Sequence, residues 1–82
     1  MKASVEISFY PLQADYTKPI FDFIERLNRH GLKVKTNGMS TQIFGDYDRI
    51  MTVLSEEMKT SLKNGRTNVF VIKVINGDLS DY

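Results

Sequence analysis

Few side chains in this sequence have a type and spacing suited to chemistry. The one histidine, His30, follows Arg29 at what the surrounding pattern marks as a helix end. A cation there meets the negative end of the helix dipole and caps carbonyls, so its expected role is structural. A metal would need more ligands, and no second histidine and no cysteine is present to share one. Glu56 and Glu57 are adjacent carboxylates, but neighbouring helix residues point more than a quarter-turn apart. They read as solvated surface and not as an acid and base pair. The pairs Asp22 with Arg26 and Glu25 with Arg29, at spacing four, read as surface support.

Gly38, Gly45, Gly65 and Gly77 stand singly, without dinucleotide or phosphate-loop spacing. What remains is a hydroxyl and amide cluster. Ser40, Thr41 and Gln42 follow the turn Thr36-Asn37-Gly38-Met39, and Ser8 and Tyr10 belong to a strand expected to lie beside them. Short polar side chains on rigid strands present donors and acceptors that fix a small heterocycle. The same residues are also what strand edges and turns ordinarily contain, and their types alone do not decide between the two roles.

The elements that would position this cluster follow from periodicity. From Ala3 to Tyr10 the chain alternates, with Val5, Ile7 and Phe9 on one face of a strand and Glu6, Ser8 and Tyr10 on the other. Pro11 ends that ladder because it has no N–H to donate. Thr17 is the expected cap of a helix whose first turn holds Pro19. Ile20, Phe23, Ile24 and Leu27 follow at helical spacing, and Gly31 stands where a helix C-terminus favours a left-handed residue. Alternation returns from Leu32 to Asn37 and from Met39 to Phe44, which predicts a hairpin turning at or near Asn37-Gly38.

Gly45-Asp46 closes the hairpin, with Asp46 placed to cap a second helix. In that helix Tyr47, Ile50, Met51, Leu54, Met58 and Leu62 form the apolar stripe, and Asp48, Arg49, Glu56, Glu57, Lys59 and Lys63 form the wet side. Asn64-Gly65 ends it. The last strand, Asn68 to Ile75, is apolar on both faces: Phe70, Ile72 and Val74 on one, Val69, Val71 and Ile75 around Lys73 on the other. Asn76 to Tyr82 carry no periodic pattern and are expected to fray.

Size and charge bound the function. The 82 residues suffice for one hydrophobic core, so residues 1–82 read as a single domain, and a domain this small gains much from self-association. A net charge of +1, from 11 basic and 10 acidic residues spread along the chain, is not the footprint of a phosphate-neutralising nucleic-acid binder. No segment approaches a membrane span, and with no cysteine there is neither a disulfide nor a thiol nucleophile. A cytoplasmic protein is expected, with neither nucleic acid nor membrane as a partner.

The element order β-α-β-β-α-β, with right-handed crossovers, gives a four-stranded antiparallel sheet with two helices on one face, the ferredoxin-like α+β sandwich. The other face stays open. RNA-recognition domains share this layout and stack bases on central-strand aromatics, but the basic-glycine-aromatic run of that module is missing here.

At this point the chain resembles the thiamine-binding protein family, small proteins related to the binding protein for thiamine and its hydroxymethylpyrimidine half. The resemblance rests on Ser8-Phe9-Tyr10-Pro11-Leu12 and on Gly38-Met39-Ser40-Thr41-Gln42-Ile43-Phe44-Gly45-Asp46, supported by the long second helix and the strand ending Ile72-Lys73-Val74. It implies non-enzymatic binding of thiamine or its hydroxymethylpyrimidine moiety by a homo-oligomer, a dimer or tetramer pairing sheet to sheet or edge to edge. The implied ligand contacts are Ser8, Tyr10, Ser40, Thr41, Gln42 and Phe44, with no catalytic or metal-binding residue and no cofactor besides the ligand itself. Many single-domain members carry an acidic residue where this chain has Phe44, which leaves the Phe44 ring, Glu6 or Asp46 to meet a cationic ligand. With no cradle for a pyrophosphate, unphosphorylated thiamine or free pyrimidine is the expected ligand. The other reading is a structural or regulatory oligomeric module with no small-molecule ligand, its open sheet face serving assembly alone.

Overall fold

The computed structural model describes residues 1–82, and its elements are β1 (Lys2–Pro11), α1 (Thr17–Asn28), β2 (Lys33–Thr36), β3 (Thr41–Asp46), α2 (Tyr47–Leu62) and β4 (Asn68–Ile75). The strands form one sheet in the order β2-β3-β1-β4, every neighbouring pair antiparallel. This is the ferredoxin-like α+β fold expected from the sequence.

The alternation in β1 sets the core. Val5, Ile7 and Phe9 are buried against Phe23 and Leu27 of α1 and Ile50, Val53 and Leu54 of α2, with Ile43 of β3 beside them. Each fully buried aliphatic or aromatic side chain contributes about 1.5–3 kcal/mol. Three rings close one end of this core: Phe9 stacks on Phe70 with centroids 4.3 Å apart, and Phe23 meets both, at 5.6 and 5.1 Å. Asp46 caps α2, its carboxylate accepting the Arg49 N–H at 3.3 Å. Gly31 turns the chain after α1 with φ +76, a left-handed angle that any β-carbon would strain.

Several local expectations are corrected. Thr17 does not cap α1; the helix starts at Thr17, and Tyr16, in the capping position, offers no side-chain bond. The hairpin is not the two-residue Asn-Gly type, and Gly38 has no positive φ. Asn37 builds it instead: its N–H donates to the Ser40 carbonyl, and its Oδ1 accepts the N–H groups of Met39 and Ser40. β3 therefore begins at Thr41.

Residues 76–82 do not fray. They fold back over the open sheet face, where Ser4 Oγ donates to the Gly77 carbonyl (2.7 Å) and accepts the Leu79 N–H (2.8 Å). Lys35 donates to the Ser80 carbonyl, and Ser80 is buried. On β4 the helices shelter only part of the inner row. Phe70 packs on the core, but Ile72 and Val74 are 40% and 45% exposed because β4 is the sheet's edge and the helices centre on β1 and β3.

Candidate functional site

β1 runs to Pro11, but its neighbour β3 starts only at Thr41, opposite Ile7. Beyond that point the sheet opens between β1 and the β2–β3 loop, and a cavity of about 360 Å³ fills the gap. That volume lies within the roughly 300–1,000 Å³ typical of small-molecule sites. One wall is Ser8 to Leu12 of the β1 end, a second is the loop from Thr36 to Thr41, and Ile20, Phe23 and Ile24 of α1 with Tyr16 close the third. None of these residues is charged. The pocket is apolar, with hydroxyl and backbone groups at its edges.

The backbone of β1 adds a feature that side chains do not reveal. Leu12 N–H donates to the Thr67 carbonyl on the β4 side, so the alternation of the strand turns Tyr10 and Ser8 toward β4 as well and turns Phe9 the other way. On that side β3 has already ended. The Phe9 N–H and C=O therefore have no partner in the chain, although Phe9 is only 8% exposed and borders the cavity. Its neighbour on the same edge, Pro11, has no N–H, and its carbonyl accepts from Gln13.

The structure gathers four of the six sequence-derived site residues here: Ser8, Tyr10, Ser40 and Thr41 all line the cavity. They approach it from different sides. Thr41 pairs with Ile7 and so lies on the helix side, buried, its hydroxyl 3.1 Å from that of Thr36. Ser40 lies toward the open face and donates to Glu6 at 2.9 Å. Tyr10, half exposed, stands at the mouth.

Gln42 and Phe44 are elsewhere. Opposite Glu6 and Ser4, they face the open side of the sheet and line a separate hollow of about 230 Å³ beneath Leu79 and Tyr82. The Phe44 ring is buried there, with the Lys35 ammonium 5.3 Å from its centroid. Glu6 carries an ion pair to Lys73 at 3.5 Å, so the acceptor nearest this hollow already has protein partners.

His30 lies just past the end of α1, as expected, and there meets Glu57, which was expected on a wet face but instead ties α2 to α1. Glu57 accepts from Arg26 Nε (2.7 Å) and lies 2.6 Å from His30 Nε2, while Arg26 also reaches Ser61 Oγ (2.6 Å). Burial alone pushes the Glu57 carboxyl up, but the hydrogen bonds from His30 and Arg26, with their charges, outweigh it and hold the pKa below the ordinary value. Asp22, freed from Arg26, pairs with Lys18. No three metal-ligating side chains cluster in the chain, and no helix is long and apolar enough to cross a membrane.

Sequence reasoning missed Tyr16, Ile20, Phe23 and Ile24 as cavity residues. A signal existed: a strand-to-helix connection places the first turns of the helix beside the last residues of the strand, so whatever opens at Tyr10 must be walled by α1.

Fold and cavity together define a class, a ferredoxin-like domain with an uncharged pocket at the end of its central strand. Within that class the chain belongs to the thiamine-binding protein family, whose sequence model matches residues 5–77. It is 33% identical over 75 residues to a UPF0045 protein of Methanocaldococcus jannaschii, covering 89% of this chain and 75% of that one. The fold is shared with a Thermotoga maritima protein provisionally assigned to thiamine biosynthesis or salvage, at TM-score 0.85 and 20% identity over 94% of this chain and 85% of that one. A protein of Streptococcus pneumoniae superposes at TM-score 0.88 and 22% identity, covering 98% and 91%.

Proposed function

We propose that this chain binds thiamine or its hydroxymethylpyrimidine moiety without turning it over, as a cytoplasmic carrier or sensor. The observation that carries the reading is the cavity at the end of β1. It matches a drug-sized heterocycle in volume, is walled by rings and aliphatic side chains, and has Ser8, Tyr10, Ser40 and Thr41 at its edges. Family membership and the thiamine-related assignment of the Thermotoga relative support the same ligand class.

The uncharged lining favours the neutral pyrimidine as the buried half, leaving a thiazolium at the mouth, where the Tyr10 and Tyr16 rings offer cation–π contact. Homo-oligomerisation belongs to this proposal: β4 exposes Val69, Val71, Ile72, Val74 and Ile75 along a free edge, more apolar surface than a lone strand ordinarily leaves to water. That same surface is the observation favouring the second reading, an assembly module without a ligand.

Titration of purified protein with thiamine by calorimetry separates the two. Saturable binding, weakened about threefold by Thr41→Ala through its lost wall contact, is expected. No heat at millimolar thiamine or pyrimidine, together with an oligomer broken by Val71→Asp, would leave the assembly module standing.

A further inference from the structure

We infer that the recognition element of the cavity is the main chain of Phe9, and that it selects heterocycles carrying a ring nitrogen beside an exocyclic amino group. This rests on the proposed reading of the cavity as a pyrimidine site and says which atoms read the ligand. On a strand edge the N–H and C=O of one residue lie side by side, a donor and an acceptor in fixed order. Phe9 presents that pair to the cavity with no partner from β3, β4 or any side chain. Nearly all buried main-chain groups in folded proteins are paired, and leaving them unpaired is costly. An N–H and C=O that border the cavity without a partner in the chain are thus open to an outside partner.

The chemistry of that partner follows. It must accept from the N–H and donate to the C=O through two atoms about as far apart as those groups, and it must be flat enough to lie between the β1 edge and the hairpin loop. A ring nitrogen flanked by an amino group does both, as in a 4-aminopyrimidine and equally in cytosine or adenine. The walls agree: no charged side chain lines the cavity, and Phe23, Ile20 and Ile24 give its interior apolar surface for a ring. Pro11, without an N–H and with its carbonyl held by Gln13, leaves Phe9 as the one complete donor–acceptor pair on this edge. The side-chain hydroxyls are secondary on this view, since Thr41 is already near Thr36 and Ser40 is bonded to Glu6.

The test is an amide NMR titration of the full ¹⁵N-labelled chain with 4-amino-5-hydroxymethyl-2-methylpyrimidine, and in parallel with the analogue whose amino group is replaced by methyl. The expected result is a downfield shift of the Phe9 amide proton with slowed solvent exchange, and binding of the methyl analogue weaker by about tenfold or more, since it leaves the C=O unpaired. Binding of both compounds with equal affinity and an unmoved Phe9 amide would overturn this inference while leaving the pyrimidine site intact. Absence of any perturbation at millimolar ligand would overturn the pyrimidine reading itself, and the inference with it.

Discussion

The two ends of the sheet treat their polar groups in opposite ways. At the Ser4 end, residues 76–82 come back over the open face, and several polar side chains find partners inside the chain. Ser4 Oγ both donates and accepts, Lys35 reaches Ser80, and Glu6 holds Ser40 and Lys73. At the Phe9 end, β3 stops short, a main-chain N–H and C=O stay unpaired, and the space beside them is apolar and uncharged. Where the chain satisfies its own polar groups, nothing is left for a ligand to pair with; where it leaves a main-chain pair open beside a cavity, a ligand has a partner. The hollow over Phe44 and the cavity at Phe9 therefore differ in kind, although the sequence-derived site included residues from both.

The strongest internal satisfaction lies between the helices, and breaking it gives the largest expected effect. Glu57→Gln removes the charge that Arg26 and His30 share, and a half-buried network of this kind costs about 2–3 kcal/mol when one partner is lost. The sign of the pH dependence is fixed by direction. The Glu57 pKa is held below its ordinary value of 4.5 in the folded chain, so the contribution of Glu57 ionisation is present above that ordinary value and is lost as pH falls through the lower folded one. Urea unfolding from pH 7 to pH 3 should show a steeper acid loss in the parent than in Glu57→Gln, with ligand affinity at pH 7 equal in both.

Ser4→Ala gives the next largest effect and tests the other end directly. It deletes two of the hydrogen bonds that clasp the tail, worth about 1–2 kcal/mol together, and leaves the Lys35 bond to Ser80. Hydrogen exchange in residues 77–82 should rise toward that of an unstructured segment, and the Phe44 ring should become accessible. Thiamine affinity should not change. A parallel loss of binding would mean that the two ends are coupled and that the contrast between them is false.

How much of this was legible in the sequence depends on how far apart the partners are. The core face of β1, the Asp46 cap and the Gly31 turn are local patterns that appear where periodicity and capping chemistry put them, whereas on α2 the expected stripe holds at Ile50 and Leu54 but misses the buried Val53 and includes Leu62, which is 49% exposed. The tail could not be read, because its anchors are the Ser4 hydroxyl 73 residues away and the Lys35 ammonium 45 residues away, with no period to announce them. Glu57 reads as wet by helical position, yet its partners lie 31 and 27 residues earlier, Arg26 on α1 and His30 just past its end. At the site, the cluster Ser40-Thr41-Gln42 was visible as a composition, but the pleat sends Thr41 to the helix side and Gln42 to the open face. The Phe9 main-chain pair has no side-chain signature at all; it exists because β1 is longer than β3.

The smallest expected effect concerns the phosphate tail of the ligand. A pyrophosphate gains affinity from basic side chains, main-chain nests or a helix N-terminus pointing at it. The cavity at Phe9 has no Lys or Arg among its lining residues, and its rim is Tyr10, Leu12, Tyr16 and Met39. Adding two phosphates to thiamine therefore brings charge to a mouth with nothing to pair it, while the buried half stays the same. Calorimetric titration with thiamine and with thiamine pyrophosphate should give dissociation constants within about threefold, the pyrophosphate being the weaker, and thiamine binding should hardly change between 50 mM and 500 mM salt. Tenfold tighter binding of the pyrophosphate, with a steep salt dependence, would place the ligand against basic side chains outside this cavity and overturn the ranking of the two regions.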